Sequence, residues 1–221
     1  MRRYKKTLLL SAVALSIDTP AFSQPVPVVG FNPSVRYQTM MDFGASDCWT
    51  AEYVGNYFPK DKKELAARLL FSRETDAKGN PRGIGLSVWR VNLGAGSKGQ
   101  SDDSNIADVT RRTDCFLQSD GTYDWSRCPG QQWFMQQAKA YGVDHFLLFS
   151  NSAPVYFTVN ALANNKDGAH GANLKSDCYD DFANYIATTA RHFTDEAYPI
   201  TYVDPVNEPA FDWRDGQEGS P

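Results

Sequence analysis

Between Phe43 and Val206, four short strand-like runs alternate with stretches of helical periodicity, and this alternation restricts the chain to an α/β architecture. The first run ends in Phe43-Gly44-Ala45. The second passes through Leu86, Val88, Arg90, Val91, Asn92 and Leu93, the third is His145 to Ser150, and the fourth is Ile200 to Val206. The third run is apolar without alternation through Phe146, Leu147, Leu148 and Phe149, as in a strand buried on both faces. Between the runs, Leu65, Leu69 and Leu70 share one face of a helix whose start is marked by Asp61 and Glu64. Trp133, Phe134, Ala138 and Tyr141 lie on one side of a second helix, Gln131 to Tyr141, stopped by Gly142. Phe182, Tyr185, Ile186, Thr189 and Phe193 recur at helical spacing in a third, which Asp177 is expected to cap. With no antiparallel signature, the strands are expected to be parallel and their crossovers right-handed.

Polar, aromatic and small residues gather after the C-terminal end of each strand, and no Gly-x-Gly-x-x-Gly follows the first. That distribution favours the N-terminal half of a (β/α)8 TIM barrel, about four βα units, over a doubly wound sheet. The chain reaches Gly219-Ser220-Pro221 soon after the fourth strand, so it reads as a fragment truncated before the second half of the barrel. An open half barrel leaves strand edges and an apolar face uncovered, which argues against its folding alone. The segment from Gly94 to Gly130, rich in Gly, Ser and Asp, is too long for a plain connection.

Residues 1–23 read as a signal peptide: a basic head of Arg2, Arg3, Lys5 and Lys6, an apolar stretch from Thr7 to Ile17, and the small-x-small site Ala21-Phe22-Ser23, with cleavage expected after Ser23. The stretch is too short to span a bilayer. The expectation is a secreted or periplasmic protein with no membrane anchor after cleavage, residues 24–221 forming a partial catalytic domain. The formal net charge is −4, and removing the cationic leader makes the remainder more acidic still, which argues against a nucleic-acid partner. In an oxidising compartment Cys115 and Cys128 are candidates for a disulfide closing the loop between them, with Cys48 and Cys178 as a second pair or as free buried thiols. No Cys-x-x-Cys or His-Glu-x-x-His spacing occurs, so neither a metal nor another cofactor is expected.

Directly after the fourth strand stands Asn207-Glu208-Pro209. The tripeptide has the composition of a turn, because Pro ends regular structure. A carboxylate at the C-terminal end of a barrel strand is also where such folds place their chemistry, with a neighbouring amide able to hold a sugar hydroxyl. Four blocks carry a likeness: Phe43-Gly44-Ala45-Ser46-Asp47, Trp89-Arg90-Val91-Asn92, Ser150-Asn151-Ser152-Ala153-Pro154-Val155-Tyr156 and Pro205-Val206-Asn207-Glu208-Pro209. In this order, each at a strand end, they resemble glycoside hydrolase family 30, and within it the endo-β-1,6-galactanases.

The resemblance implies a retaining glycosidase that uses no cofactor and acts on a polysaccharide or oligosaccharide, here a β-linked galactan. The Glu after strand four is the acid/base, matched by Glu208, and a Glu after strand seven is the nucleophile, which has no counterpart in the four strands. The polypeptide as given is therefore expected to be inactive, and to lack the family's β-sandwich side domain as well. Asn207 would bond the hydroxyl beside the anomeric carbon, and Arg90 would orient a carboxylate and a sugar hydroxyl with its always-charged fork, unless it serves a structural ion pair. Asp47 and Asn151 are further substrate-binding candidates. Trp49 and Trp213 offer flat faces to a sugar ring, or else core packing. His145, His170 and His192 are scattered, and Asp177, Asp180 and Asp181 fall in a first helical turn, where acids belong without calcium. Glu218 lies close in sequence to Glu208, but the partner carboxylate should come from across the barrel. Other readings are a family member cutting β-1,6-glucan, β-xylan or glucosylceramide, and a non-catalytic carbohydrate-binding protein.

Overall fold

The computed structural model describes residues 29–30, 32–165 and 172–220. The signal peptide expected in residues 1–23, its cleavage point and His170 lie outside the described residues. The chain divides into two units, residues 1–39 and 40–221. In the first, the Val35 N–H donates to the Asn32 carbonyl at 3.1 Å to close a turn, and the described residues are exposed.

The second unit is built on strands β1 (Gly44–Ser46), β2 (Val88–Asn92), β3 (His145–Phe149) and β4 (Ile200–Asp204), paired in the order β1-β2-β3-β4 with every neighbour parallel. Sequential parallel order with helical returns is the arrangement of half a (β/α)8 barrel. Helices α1 (Thr50–Tyr57) and α2 (Lys60–Phe71) lead from β1 to β2, α3 (Ser97–Gln100) and α4 (Pro129–Ala140) from β2 to β3, and α5 (Tyr179–Asp195) from β3 to β4. Between sheet and helices lies a core that includes Phe71, Trp89, Val91, Phe134, Phe146, Leu148 and Phe193. Phe71 meets the Trp89 ring edge-on, 5.0 Å between centroids. Each such side chain, fully buried, contributes about 1.5–3 kcal/mol relative to exposure. The α5 periodicity is realised in full: Phe182, Tyr185, Ile186, Thr189 and Phe193 are its buried residues.

Helix α2 turns a different face inward from the one its leucines suggest. It buries Ala67 and Phe71, whereas Leu65 and Leu69 are 39% and 50% exposed. One large aromatic wedged edge-on against Trp89 fixes the rotation of the helix, which turns Leu65 and Leu69 outward and leaves Leu70 partly buried against the core. Asp61 occupies the first turn of α2 behind Pro59, where the helix dipole favours an acid, but makes no capping bond. Asp177 does not cap α5 either, because the N-cap position is Cys178 and carries no side-chain cap. Helix α1, which no apolar periodicity announces, lies against α4. An added Cβ on Gly55 would fall 2.2 Å from the Gly130 carbonyl oxygen, so two glycines allow this approach.

The polar segment after β2 is folded rather than loose, with α3, two 3-10 turns and buried Ile106, Phe116 and Leu117. The disulfide expected at Cys115–Cys128 is not formed, and of the two readings left open for Cys48 and Cys178 the structure has free thiols, as it has for all four cysteines. The 115–128 loop closes without a covalent bond: Arg127 bridges Asp124 at 2.9 Å and Asp114 at 3.2 Å, while the Cys128 thiol donates to the Asp114 carbonyl. Burial pushes the Cys115 thiol up to about 12, which keeps it unreactive.

Candidate active site

The C-terminal ends of all four strands converge on one polar chain. Arg90, near the end of β2, donates one guanidinium nitrogen to the Asp204 carboxylate at 3.0 Å and to the Asn207 side-chain oxygen at 2.5 Å. Asn207 then donates to Asn151 after β3 at 2.8 Å, and Asn151 donates to Asn92 at the end of β2 at 3.3 Å. The Asn92 backbone N–H donates to Asp47 after β1 at 3.0 Å. Below the guanidinium lies the Phe149 ring, 3.3 Å from its centroid. An arginine in an apolar strand is thus held by a carboxylate, an amide and an aromatic face, which offset the cost of removing it from water.

Glu208 follows this lattice directly. Its φ of 46° lies in the left-handed region, strained for a residue with a side chain and costing on the order of 1–3 kcal/mol. The backbone is fixed on both sides: the Asn207 N–H donates to Ser150 at 3.2 Å, and the Glu208 carbonyl accepts from the Phe211 N–H at 3.0 Å and from Trp213 Nε1 at 3.1 Å. Its side chain is exposed, so these four strands do not themselves supply the burial that proton donation would use. Trp213 therefore holds the acid's backbone. Its ring is 4% exposed and packs where a Cβ on Gly219 would sit, 2.1 Å from it, so it offers no open platform for a sugar.

Asp47 is 4% exposed, and both its oxygens accept from the protein, one from the Asn92 N–H and the other from the Gln131 amide. Burial pushes its carboxyl up to about 7, against the opposing pull of the Gln131 and Asn92 donors and the Arg90 charge. It acts here as a tie between β1, β2 and α4. Gln131 also donates to the Asn92 carbonyl at 2.9 Å, and its backbone N–H, in the first turn of α4, donates to Glu52 of α1 at 2.8 Å. Trp49, half-buried, lines a void of about 20 Å³ with Asp47, Glu52, Thr113 and Gln131.

Glu218 is wholly buried, accepting from the Ala95 N–H at 3.0 Å, the Ser97 N–H at 3.2 Å and the Ser97 hydroxyl at 2.6 Å. It pins the stretch after β4 to the loop after β2, and burial pushes its carboxyl up. Next to it, the Gly219 N–H donates to Ala163 and the Ser220 N–H to Asn151, so the whole segment straps down the loops after β2 and β3. Sequence reasoning missed Asn92, Gln131 and Asp204. For Asn92 a signal existed, a polar residue closing an apolar strand two places after an arginine. For Gln131 there was none. His145 bonds Thr201 at 2.9 Å and His192 faces Glu196 at 3.4 Å, both away from this lattice. Among the described residues no group of three His, Cys, Asp or Glu side chains is placed to hold a metal ion, and no helix is long and apolar enough to cross a membrane.

Residues 27–221 match the family described as O-Glycosyl hydrolase family 30. The chain is 28% identical to the endo-β-1,6-galactanase of Hypocrea rufa over 228 residues, covering 94% of this chain and 45% of that protein. It is 42% identical to a conserved exported protein from Bacteroides fragilis, whose crystal structure superposes with a TM-score of 0.81 over 86% of this chain and 39% of that one. The catalytic domain of GH30 xylanase C from Talaromyces cellulolyticus, 23% identical, shares the fold with a TM-score of 0.56 over 85% of this chain and 40% of that one. The chain thus spans about half the length of the curated relative it matches.

Proposed function

The chain belongs to O-glycosyl hydrolase family 30, and on that premise we propose that it carries the acid/base portion of a retaining hydrolase that cleaves β-1,6-galactan internally, with Glu208 as proton donor. In this scheme Glu208 gives its proton to the departing glycosidic oxygen while a second carboxylate attacks the anomeric carbon. Water, deprotonated by Glu208, then releases the sugar from that carboxylate. The second carboxylate belongs to a later strand of a closed barrel. Proton donation also requires an acid kept neutral by burial or by a neighbouring negative charge, which the facing strands of such a barrel would provide.

The observation that carries the reading is the bond from Arg90 to Asn207, which fixes the residue beside Glu208 against β2. The strained backbone of Glu208 supports it, since such conformations persist where surrounding structure enforces them and concentrate at functional sites. Galactan as substrate is supported by the Hypocrea rufa relative alone. Export after cleavage at Ser23 belongs to the same proposal, supported by the likeness to an exported Bacteroides protein.

One observation favours a second reading. The exposure of Glu208 suits a non-catalytic carbohydrate-binding protein, which has no need of a desolvated acid. Glu208→Gln in the full-length protein separates the two. As an enzyme, the variant loses roughly 10²–10⁴-fold in turnover of β-1,6-galactan while still binding oligosaccharide. Unchanged turnover removes Glu208 from the mechanism, and faster turnover of β-1,6-glucan, β-xylan or glucosylceramide by the unaltered protein reassigns the substrate.

A further inference from the structure

We propose that the pocket between α1 and the folded segment after β2, lined by Tyr53, Tyr57, Lys98, Thr110 and Arg112, is a second sugar-binding site, separate from the residues around Glu208, that holds a neutral sugar unit of a polysaccharide. The carbohydrate class rests on the functional reading above; the existence of the site rests on the geometry.

The pocket has a volume of about 410 Å³, within the range of roughly 300–1,000 Å³ typical of small-molecule sites. One wall is aromatic and open. Tyr53 and Tyr57 are 43% and 63% exposed, with ring centroids 5.1 Å apart and planes inclined at 51°. Their exposure follows from the way α1 is docked. The helix buries only Ala51 and Gly55, and the close approach of Gly55 to Gly130 fixes which side meets α4. Tyr53 and Tyr57, four residues apart, are then carried together on a face that the core does not use. Two tyrosine rings held side by side on a rigid helix form a surface for the C–H face of a sugar, with phenolic hydroxyls at the rim.

The opposite wall is polar and electrically balanced. Lys98 donates to Asp114 at 2.8 Å, and Arg112, whose side chain is 10% exposed, donates to Asp102 at 2.9 Å and to the Ile106 carbonyl at 2.8 Å. Each cation already faces a carboxylate, Asp114 being shared with Arg127, which also has Asp124, and Glu52 adds a negative charge to the lining. The pocket therefore offers N–H donors without a net positive field. Hydroxyl oxygens fit that environment, whereas a phosphate, sulfate or uronate would require an uncompensated cation. An ammonium has three donors, and Asp114 takes one of those on Lys98. The aromatic wall is also fixed, since Glu52 of α1 accepts from the Gln131 N–H in the first turn of α4, and Gln131 in turn holds Asp47.

Affinity electrophoresis of the full-length protein tests this, in gels cast with β-1,6-galactan, β-1,6-glucan, xylan or polygalacturonate. The background is Glu208→Gln, so that the polymer survives the run. The expected result is retardation by at least one neutral polymer, with apparent Kd rising about tenfold when Tyr53→Ala and Tyr57→Ala are added. Tyr57→Ala alone, at the more exposed ring, is expected to give part of that loss and serves if the combined variant unfolds. Loss of retardation in xylan or glucan instead of galactan upholds the pocket and assigns it that polymer in place of galactan. The proposal is overturned by undiminished retardation in the tyrosine variants, by absence of retardation in every gel, or by a tyrosine-dependent shift in polygalacturonate only.

Discussion

Arg90 and Asn207, separated by 117 positions in the chain, are joined by a 2.5 Å hydrogen bond that ties the end of β2 to the loop bearing Glu208. The same guanidinium nitrogen reaches Asp204, and the Phe149 ring lies beneath. Lysine keeps the charge but loses the planar fork and the stacking. Under the proposed function, Arg90→Lys in the full-length protein is expected to lower kcat/KM on galactan by roughly 10²-fold, because a misplacement of about 1 Å at the reacting group costs that much. The thermal midpoint should fall by only a few degrees, consistent with the loss of about 1–2 kcal/mol. Unaltered kinetics would show that the lattice does not position the acid.

Glu218 gives a prediction in which the ranking of two changes is the point. Glu218→Ala leaves the N–H groups of Ala95 and Ser97 without their buried acceptor, each costing about 1–3 kcal/mol. Glu218→Gln keeps one carbonyl, which can serve the Ser97 donors, but turns its NH2 toward the Ala95 N–H, while removing a carboxylate that burial already penalises. Urea unfolding should therefore place Gln between Ala and the unaltered protein. Equal destabilisation by both would mean that the negative charge itself holds the strap.

What could be read from the residues and what could not divide along physical lines. Strand order and parallel pairing were legible because the run from Phe146 to Phe149 and the spacing of Phe182 to Phe193 each admit one periodicity. The rotation of α2 was not, because Leu65, Leu69 and Leu70 outweigh Ala67 and Phe71 in any count of apolar residues, and only the Phe71–Trp89 contact decides between the faces. Arg90 and Asn207 stood out because a charge and an amide at strand ends need partners. The same reasoning offered Asp47 and Trp213 as sugar contacts, and what it could not show is that their polar atoms are engaged by Gln131 and by the Glu208 carbonyl. Glu218 was set aside on family position, since nothing in the local sequence announces that its partners lie more than 120 residues earlier.

The crossing of α1 and α4 is tested by a single methyl group. Alanine is the better helix former by about 1 kcal/mol, yet a Cβ on Gly55 would lie 2.2 Å from the Gly130 carbonyl oxygen and must push the helices apart. Gly55→Ala is expected to destabilise by about 1–3 kcal/mol net, whereas Gly99→Ala in α3, where a Cβ meets nothing within 4 Å, should be neutral or slightly stabilising. Differential scanning calorimetry of the two variants checks the pair, and a stabilised Gly55→Ala protein would contradict the packing.

Asp47 should leave a signature in the dependence of stability on pH. Its carboxyl is pushed up to about 7 by burial, while in the unfolded chain it titrates near 4. Between these values the folded form keeps the proton and the unfolded form does not, so stability is greatest at the acid end and declines as pH rises through the window, levelling off above about 7. An amide side chain does not ionise, so Asp47→Asn should remove that part of the slope. The substituted carbonyl can still accept from the Asn92 N–H, but the new amide group would face the donor of Gln131 and weaken that tie. The variant is thus expected to be less stable than the unaltered protein at pH 5 and nearly level with it at pH 8. Urea midpoints at the two pH values measure the difference, and parallel pH profiles for both proteins would place the titration elsewhere.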